Sequence, residues 1–164
     1  MNVNSRMHRM VKRHEGLRLT AYRDTLDKWT IGYGHLLSDP VDIARAERGL
    51  FVAIAPESAD YLFGDDVQRA VNGVKLLFAN VPMNDARFAA LVDMCFQLGV
   101  AGLKRFERMR RCIYTGDWKG AAREALNSRW AIQTNRRALE IAAILETGKW
   151  LPEEFALSEG QLGA

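Results

Sequence analysis

The hydrophobic pattern of this chain takes the two-residue period of a strand in only one short place. "LRLTAY" (17–22) alternates apolar and polar residues, and "WTIGYG" (29–34) is β-branched and aromatic. "RDTLDK" between them has turn chemistry, so residues 17–34 are expected to form one β-hairpin. Every other clear pattern has the helical period. The expected architecture is therefore α+β and mainly α, with one small β-rich lobe set into a helical chain.

The helices are placed by their apolar spacing and caps. Val3, Met7, Met10 and Val11 predict a short basic helix over 3–13, with Gly16 placed to end it. Residues 42–50 read as a short helix or as the remainder of the β-lobe. "PESADYLFGDDVQRAVNGVKLLF" (56–78) starts with Pro56 and Ser58 and predicts one long connecting helix. Further helices are expected over 84–99, ended by Gly99, then over 106–116, 117–128 and 136–148. They form a bundle of four or five. The 164 residues suit a single domain in two lobes, with 13–60 the small lobe and 1–12 plus 61–164 the helical one. The tail from Trp150 onward is expected to pack once and then fray. A cleft between lobes is a natural ligand site.

Charge is unevenly spread. Residues 1–35 carry 7 Lys and Arg against 3 Asp and Glu, residues 36–94 carry 5 against 9, and residues 95–150 carry 11 against 5. Two basic segments flank an acidic middle. They would suit an anionic surface or polymer, or a solvated surface in which the charges cancel. No stretch reaches the ~18 uncharged apolar residues of a membrane span. The opening "MNVNSRMHRMVKRHEG" has basic residues but no apolar segment and no small-residue cleavage site. Synthesis in a cytoplasm, with no stable membrane insertion, is expected. Cys95 and Cys112 match no zinc or redox spacing and read as two buried thiols.

The chemistry gathers in "HEGLRLTAYRDTLDKWTIGYGH" (14–35). Glu15 falls at a helix end, Asp24 beside the hairpin turn and Thr30 on the returning strand. Two carboxylates in different surroundings suit glycoside hydrolysis, one held protonated to donate to the leaving oxygen, the other ionised. Taken singly, each also reads as a solvated helix end or a turn residue. His14, Glu15 and His35 lack the H-E-x-x-H spacing of a metal site, and Gly32-Tyr33-Gly34 lacks the third glycine of a dinucleotide loop.

The combination "HEGLRLTAYRDT…WTIGYGHLL" resembles the signature of the phage lysozyme family (glycoside hydrolase family 24), typified by the T-even phage lysozyme. "YLFGDDV", "FQLGVAG" and "SRWAIQT" follow in the family's order, so the likeness covers about residues 5–150. It implies a lysozyme-like two-lobed fold and a peptidoglycan muramidase. Glu15 would be the general acid, Asp24 the carboxylate that activates water, and Thr30 its hydroxyl partner. Arg137 matches the family's basic residue near the catalytic Glu. Leu36 and Phe96 match substrate-cleft positions, with Gln97 and Gln133 placed to line the same cleft. His35 and Asp66 match a structural salt bridge. The chain departs from the family at Met109, Glu124, Asn135, Arg136 and Glu140, and the segment between His35 and Asp66 is shorter.

The resemblance implies an endolysin. It would work without cofactor or metal, act on bacterial peptidoglycan as a monomer, bind no nucleic acid, and depend on a holin only for release from the infected cytoplasm. A tail-associated or prophage-borne lysozyme is also open. So are a lytic transglycosylase, which needs the acid Glu but not Asp24, and a non-catalytic wall- or membrane-active protein, motivated by "LKRFERMRRCIY" (103–114).

Overall fold

The computed structural model describes residues 3–152, so the last part of the tail lies outside the described residues. Among them run α1 (Val3–Glu15), β1 (Arg18–Arg23), β2 (Trp29–Gly32), β3 (His35–Leu36), α2 (Pro40–Glu47), α3 (Pro56–Leu77), α4 (Asp85–Lys104), α5 (Glu107–Tyr114), α6 (Trp118–Leu126), α7 (Arg129–Thr134) and α8 (Arg136–Thr147). The fold is α+β and mainly α, with one three-stranded antiparallel sheet in the order β1-β2-β3. Two compact units divide the chain, 1–72 and 73–164, and the boundary falls inside α3.

In the first unit, α1 buries Met7, Met10 and Val11. It runs two residues further than its apolar spacing shows, because Gly16 N–H still donates to Lys12 O at 2.9 Å. Gly16 then leaves the helix with φ +69°, a conformation that costs a glycine little. Glu15 is thereby the last helical residue. Around α1, Phe63 meets the His8 ring edge-on at 5.5 Å and the Tyr33 ring at 5.2 Å, while Lys12 pairs with Asp60 at 2.5 Å. These contacts tie α1 and the 32–34 turn to the first half of α3.

The hairpin carries a third strand, the two-residue β3, too short to show a period. Antiparallel partners share a face, so the register Tyr22↔Thr30↔Leu36 puts one side chain from each strand in a row. Arg23 and Trp29 pair on the opposite face, where the guanidinium lies 4.6 Å from the indole centroid. A small core forms from Ile31, Ala46 and Val52 with Ala21, Trp29, Leu37 and Ile54 around them. Of the two expectations for 42–50 the helix holds, since α2 covers Pro40–Glu47 and the bonds to the sheet come only at 52–54. Asp39 caps α2 by accepting Val41 N–H at 2.8 Å. The chain then returns to the sheet, with Ala21 N–H donating to Val52 O and Ile54 N–H to Leu19 O.

In the second unit, α4 carries a long buried run and packs against α8. Ala86 and the run Ala89–Cys95 are buried, which explains why its 18-residue window reaches a mean hydropathy of 1.4. By length and composition α4 could cross a membrane; here α8 packs against it. Gly99, at φ +69° and ψ 167°, breaks the helix where expected, but the chain resumes helix to Lys104. Asn84 caps α4 through Arg87 N–H and donates to Gly148 O at 2.7 Å, closing the start of α4 onto the end of α8. Met109 and Ile113 are buried, so the apolar stripe of the basic helix α5 belongs to the unit's core. The six-residue α7 is shorter than a periodic signal needs; Ser128 caps it through Ala131 N–H at 3.1 Å. Cys95 is buried and burial pushes its thiol up to about 11, whereas Cys112 is half-buried rather than buried.

Candidate active site

Asp24 is fixed by the turn it opens. Its Oδ1 accepts the Leu26 and Lys28 N–H groups, both at 2.8 Å, and its own N–H donates to Lys28 O at 2.9 Å. This is an Asx-type turn, closed by Asp27 at φ +59°. With Oδ1 so engaged, Oδ2 accepts from no group among the described residues. Thr30 is 3% exposed, and its hydroxyl donates to the same Lys28 carbonyl at 3.1 Å. One carbonyl thus gathers Asp24 and Thr30. Because the Thr30 proton is spent there, its oxygen is left as an acceptor. Two acceptors, Asp24 Oδ2 and Thr30 Oγ1, are what remain for a ligand.

Glu15 reaches the glycine turn from the end of α1. A methyl group built on Gly34 would lie 3.0 Å from Glu15 Oε2, and Gly34 has φ +79°. The turn backbone therefore comes against the carboxyl as only glycine allows. The glycines of "TIGYG" serve this close approach. His35 continues the turn, with Nδ1 2.8 Å from Asp66 Oδ2, and Arg69 pairs with Asp66 Oδ1. Leu36, next to His35, is 50% exposed on the face it shares with Thr30.

Tyr22 completes that row, and sequence reasoning gave it no role. Its phenol is pushed up, foremost by burial and then by the charges of Glu15 and Asp24, against the opposing pull of Arg18. The signal was present: Tyr22 lies two residues before Asp24, one strand period away.

The remaining candidates lie in the second unit. Phe96 is half-buried near the middle of α4. Gln97 is exposed, and its Oε1 accepts the Trp130 indole N–H at 2.7 Å. Gln133, on α7, lines a cavity of about 680 Å³ together with Trp130, Phe106 and Met109. Met109 is 1% exposed, so it meets a ligand only through the edge it shows that cavity. Arg137 is buried, its Nε donating to Asp93 Oδ1 at 2.8 Å and its Nη2 to Asp93 O at 3.2 Å. Asp93 is the partner sequence reasoning missed, although a carboxylate within an apolar helical run demands a counter-charge. Among the described residues no three His, Cys, Asp or Glu side chains converge as metal ligands.

Comparison with known proteins decides the family. The model of the Phage lysozyme family matches residues 12–142, a span that takes in every candidate residue named above. The chain belongs to the phage lysozyme family. It is 35% identical over 164 residues to the pre-baseplate central spike protein Gp5 of Enterobacteria phage T4, covering 90% of this chain and 28% of that protein. It is 30% identical over 159 residues to a probable T4-type lysozyme 2 of Dictyostelium discoideum, covering 85% of this chain and 92% of that one. An endolysin of Bacillus phage B103 is 34% identical over 130 residues, 77% of this chain and 45% of that protein. The phage lysozyme domain is thus found alone and within longer proteins, and the chain spans under a third of the spike protein. As a member of this family, the domain is a lysozyme, a glycoside hydrolase.

Proposed function

We propose that this phage lysozyme is an endolysin that hydrolyses the β-1,4 bond between N-acetylmuramic acid and N-acetylglucosamine of bacterial peptidoglycan, with inversion. The observation that supports the reading is the Lys28 backbone, whose N–H holds Asp24 Oδ1 and whose carbonyl takes the Thr30 hydroxyl proton, leaving Asp24 Oδ2 and Thr30 Oγ1 as acceptors. A water donating one proton to Asp24 Oδ2 and the other to Thr30 Oγ1 has a lone pair left to aim at the anomeric carbon. As its oxygen bonds to that carbon, Asp24 takes up a proton. The glycosidic C–O bond breaks, and the Glu15 proton passes to the leaving oxygen. Glu15 ends α1 and reaches the Gly34 turn, where its carboxyl would donate to the leaving oxygen.

The other candidates take supporting roles. The His35–Asp66 pair holds β3 to α3 and keeps the Gly34 turn against Glu15. Leu36 offers apolar contact to a sugar beside Thr30. Phe96, Gln97 and Gln133 are sugar-contact candidates of the second unit, and Arg137 is a basic group of that unit whose orientation Asp93 sets. Such hydrolysis needs no cofactor. The protein acts as a monomer, made in the infected cytoplasm and delivered to the wall through a holin-type membrane lesion.

The test is mass spectrometry of the soluble products from purified peptidoglycan, for the wild type and Glu15→Gln. Reducing muramic acid ends from the wild type, with at least a hundredfold less from the variant, are expected. Anhydro ends would replace hydrolysis by transglycosylation. Equal release by both proteins would remove Glu15 as the acid.

A further inference from the structure

We infer that Tyr22 is a further substrate-contacting residue of this site, its phenolic hydroxyl donating a hydrogen bond to an oxygen of the sugar whose bond is cut. The inference rests on the muramidase reading and deepens it. Four observations carry it. The β-sheet register places Tyr22 in one row with Thr30 and Leu36, two residues before Asp24. The charges of both proposed catalytic carboxylates, Glu15 and Asp24, help burial hold its phenol above the ordinary value, against Arg18. The Arg18 guanidinium sits 4.3 Å from the ring centroid and holds the part-buried ring in place. The hydroxyl nevertheless donates to no group among the described residues.

The chemistry between two carboxylates narrows what can work there. A third acid would repel both. A neutral donor reaches a sugar oxygen and leaves both charges as the reaction needs them. Burial first, then the two carboxylates, disfavour the phenolate, so the hydroxyl keeps its proton across the range in which the carboxylates work. An ordered donor at the reacting sugar strengthens its bond as the ring distorts, which lowers the barrier more than it tightens binding.

The experiment compares Tyr22→Phe with the wild type on soluble peptidoglycan fragments, recording kcat, KM and Tm together. Removal of the hydroxyl alone is expected to lower kcat by roughly tenfold to a hundredfold, with KM changed by less than about twofold and Tm unmoved. Unchanged kcat overturns the inference. A fall in kcat that tracks a fall in Tm overturns it too, because the role would then be structural. Tyr22→Leu, which also removes the ring beneath Arg18, is expected to lower Tm as well as kcat and so marks what a structural loss looks like. Wild type that makes no reducing ends would sink the muramidase reading and this inference with it, whereas active wild type matched by active Tyr22→Phe sinks the inference alone.

Discussion

Asp24 and Asp93 are the same residue put to opposite uses. Asp24, in the first unit, sits on a turn with one carboxylate oxygen held by two backbone N–H groups and the other left open. Asp93, in the second, is 0% exposed, and its side chain and backbone oxygens both accept from Arg137. A site keeps acceptor capacity in reserve and relies on the backbone to hold the side chain still. A core leaves nothing in reserve, because an unpaired buried charge costs several kcal/mol. Asp24 should therefore answer chiefly in activity, and Asp93 chiefly in stability.

Asp24→Asn is the sharpest way to break that comparison. The amide oxygen can still accept the Leu26 and Lys28 N–H groups, so stability should move by less than about 1 kcal/mol. Hydrolysis should fall by about a hundredfold to ten-thousandfold, because no base remains for the water. Product release measured beside denaturant unfolding checks both halves. Asp93→Ala should be felt mainly in stability, costing about 3–5 kcal/mol because it removes the buried carboxylate that accepts from Arg137 Nε. A loss under about 1 kcal/mol, read as the unfolding midpoint at constant m-value, would show that the pair is not the structural device its burial suggests.

The smallest effect concerns a group near the site that takes no part in it. Burial, and then the charge of Lys12, hold the His8 imidazole below its ordinary value. Folded His8 therefore resists a proton that the unfolded chain accepts. Stability is unaffected well above pH 6.5, declines as pH falls through that value, and levels off once the folded imidazole is protonated as well. His8→Phe keeps a ring against Phe63 and should lose about a degree or two less in Tm than the wild type between pH 7 and pH 5. An identical pH dependence would remove His8 as the cause.

Much of this was readable before the structure. The strand period of 17–22 and the turn residues at 23–28 located the hairpin, and the caps and apolar spacing located six of the helices. β3 and α7 were not legible because two and six residues are too few to show a period. The extension of α1 to Glu15 depends on a backbone bond from Gly16, which side-chain spacing does not record. Within the site, residue types and spacing brought Glu15, Asp24 and Thr30 forward. What they could not show was the Lys28 carbonyl that unites Asp24 with Thr30, since a backbone oxygen has no sequence signal. Tyr22 was passed over for a different reason: its spacing from Asp24 was visible, but the row it shares with Thr30 and Leu36 follows from register across three strands, which a bulge between Arg18 and Tyr22 shifts.

The most direct measurement is the anomeric configuration of the first product, followed by proton NMR as the enzyme cleaves a soluble β-1,4-linked muramyl oligosaccharide. A water held by Asp24 and Thr30 attacks from the face opposite the leaving group, so the α anomer should appear first and mutarotate afterwards. Initial release of the β anomer would contradict the account, because it requires a covalent intermediate or a water delivered from the Glu15 side.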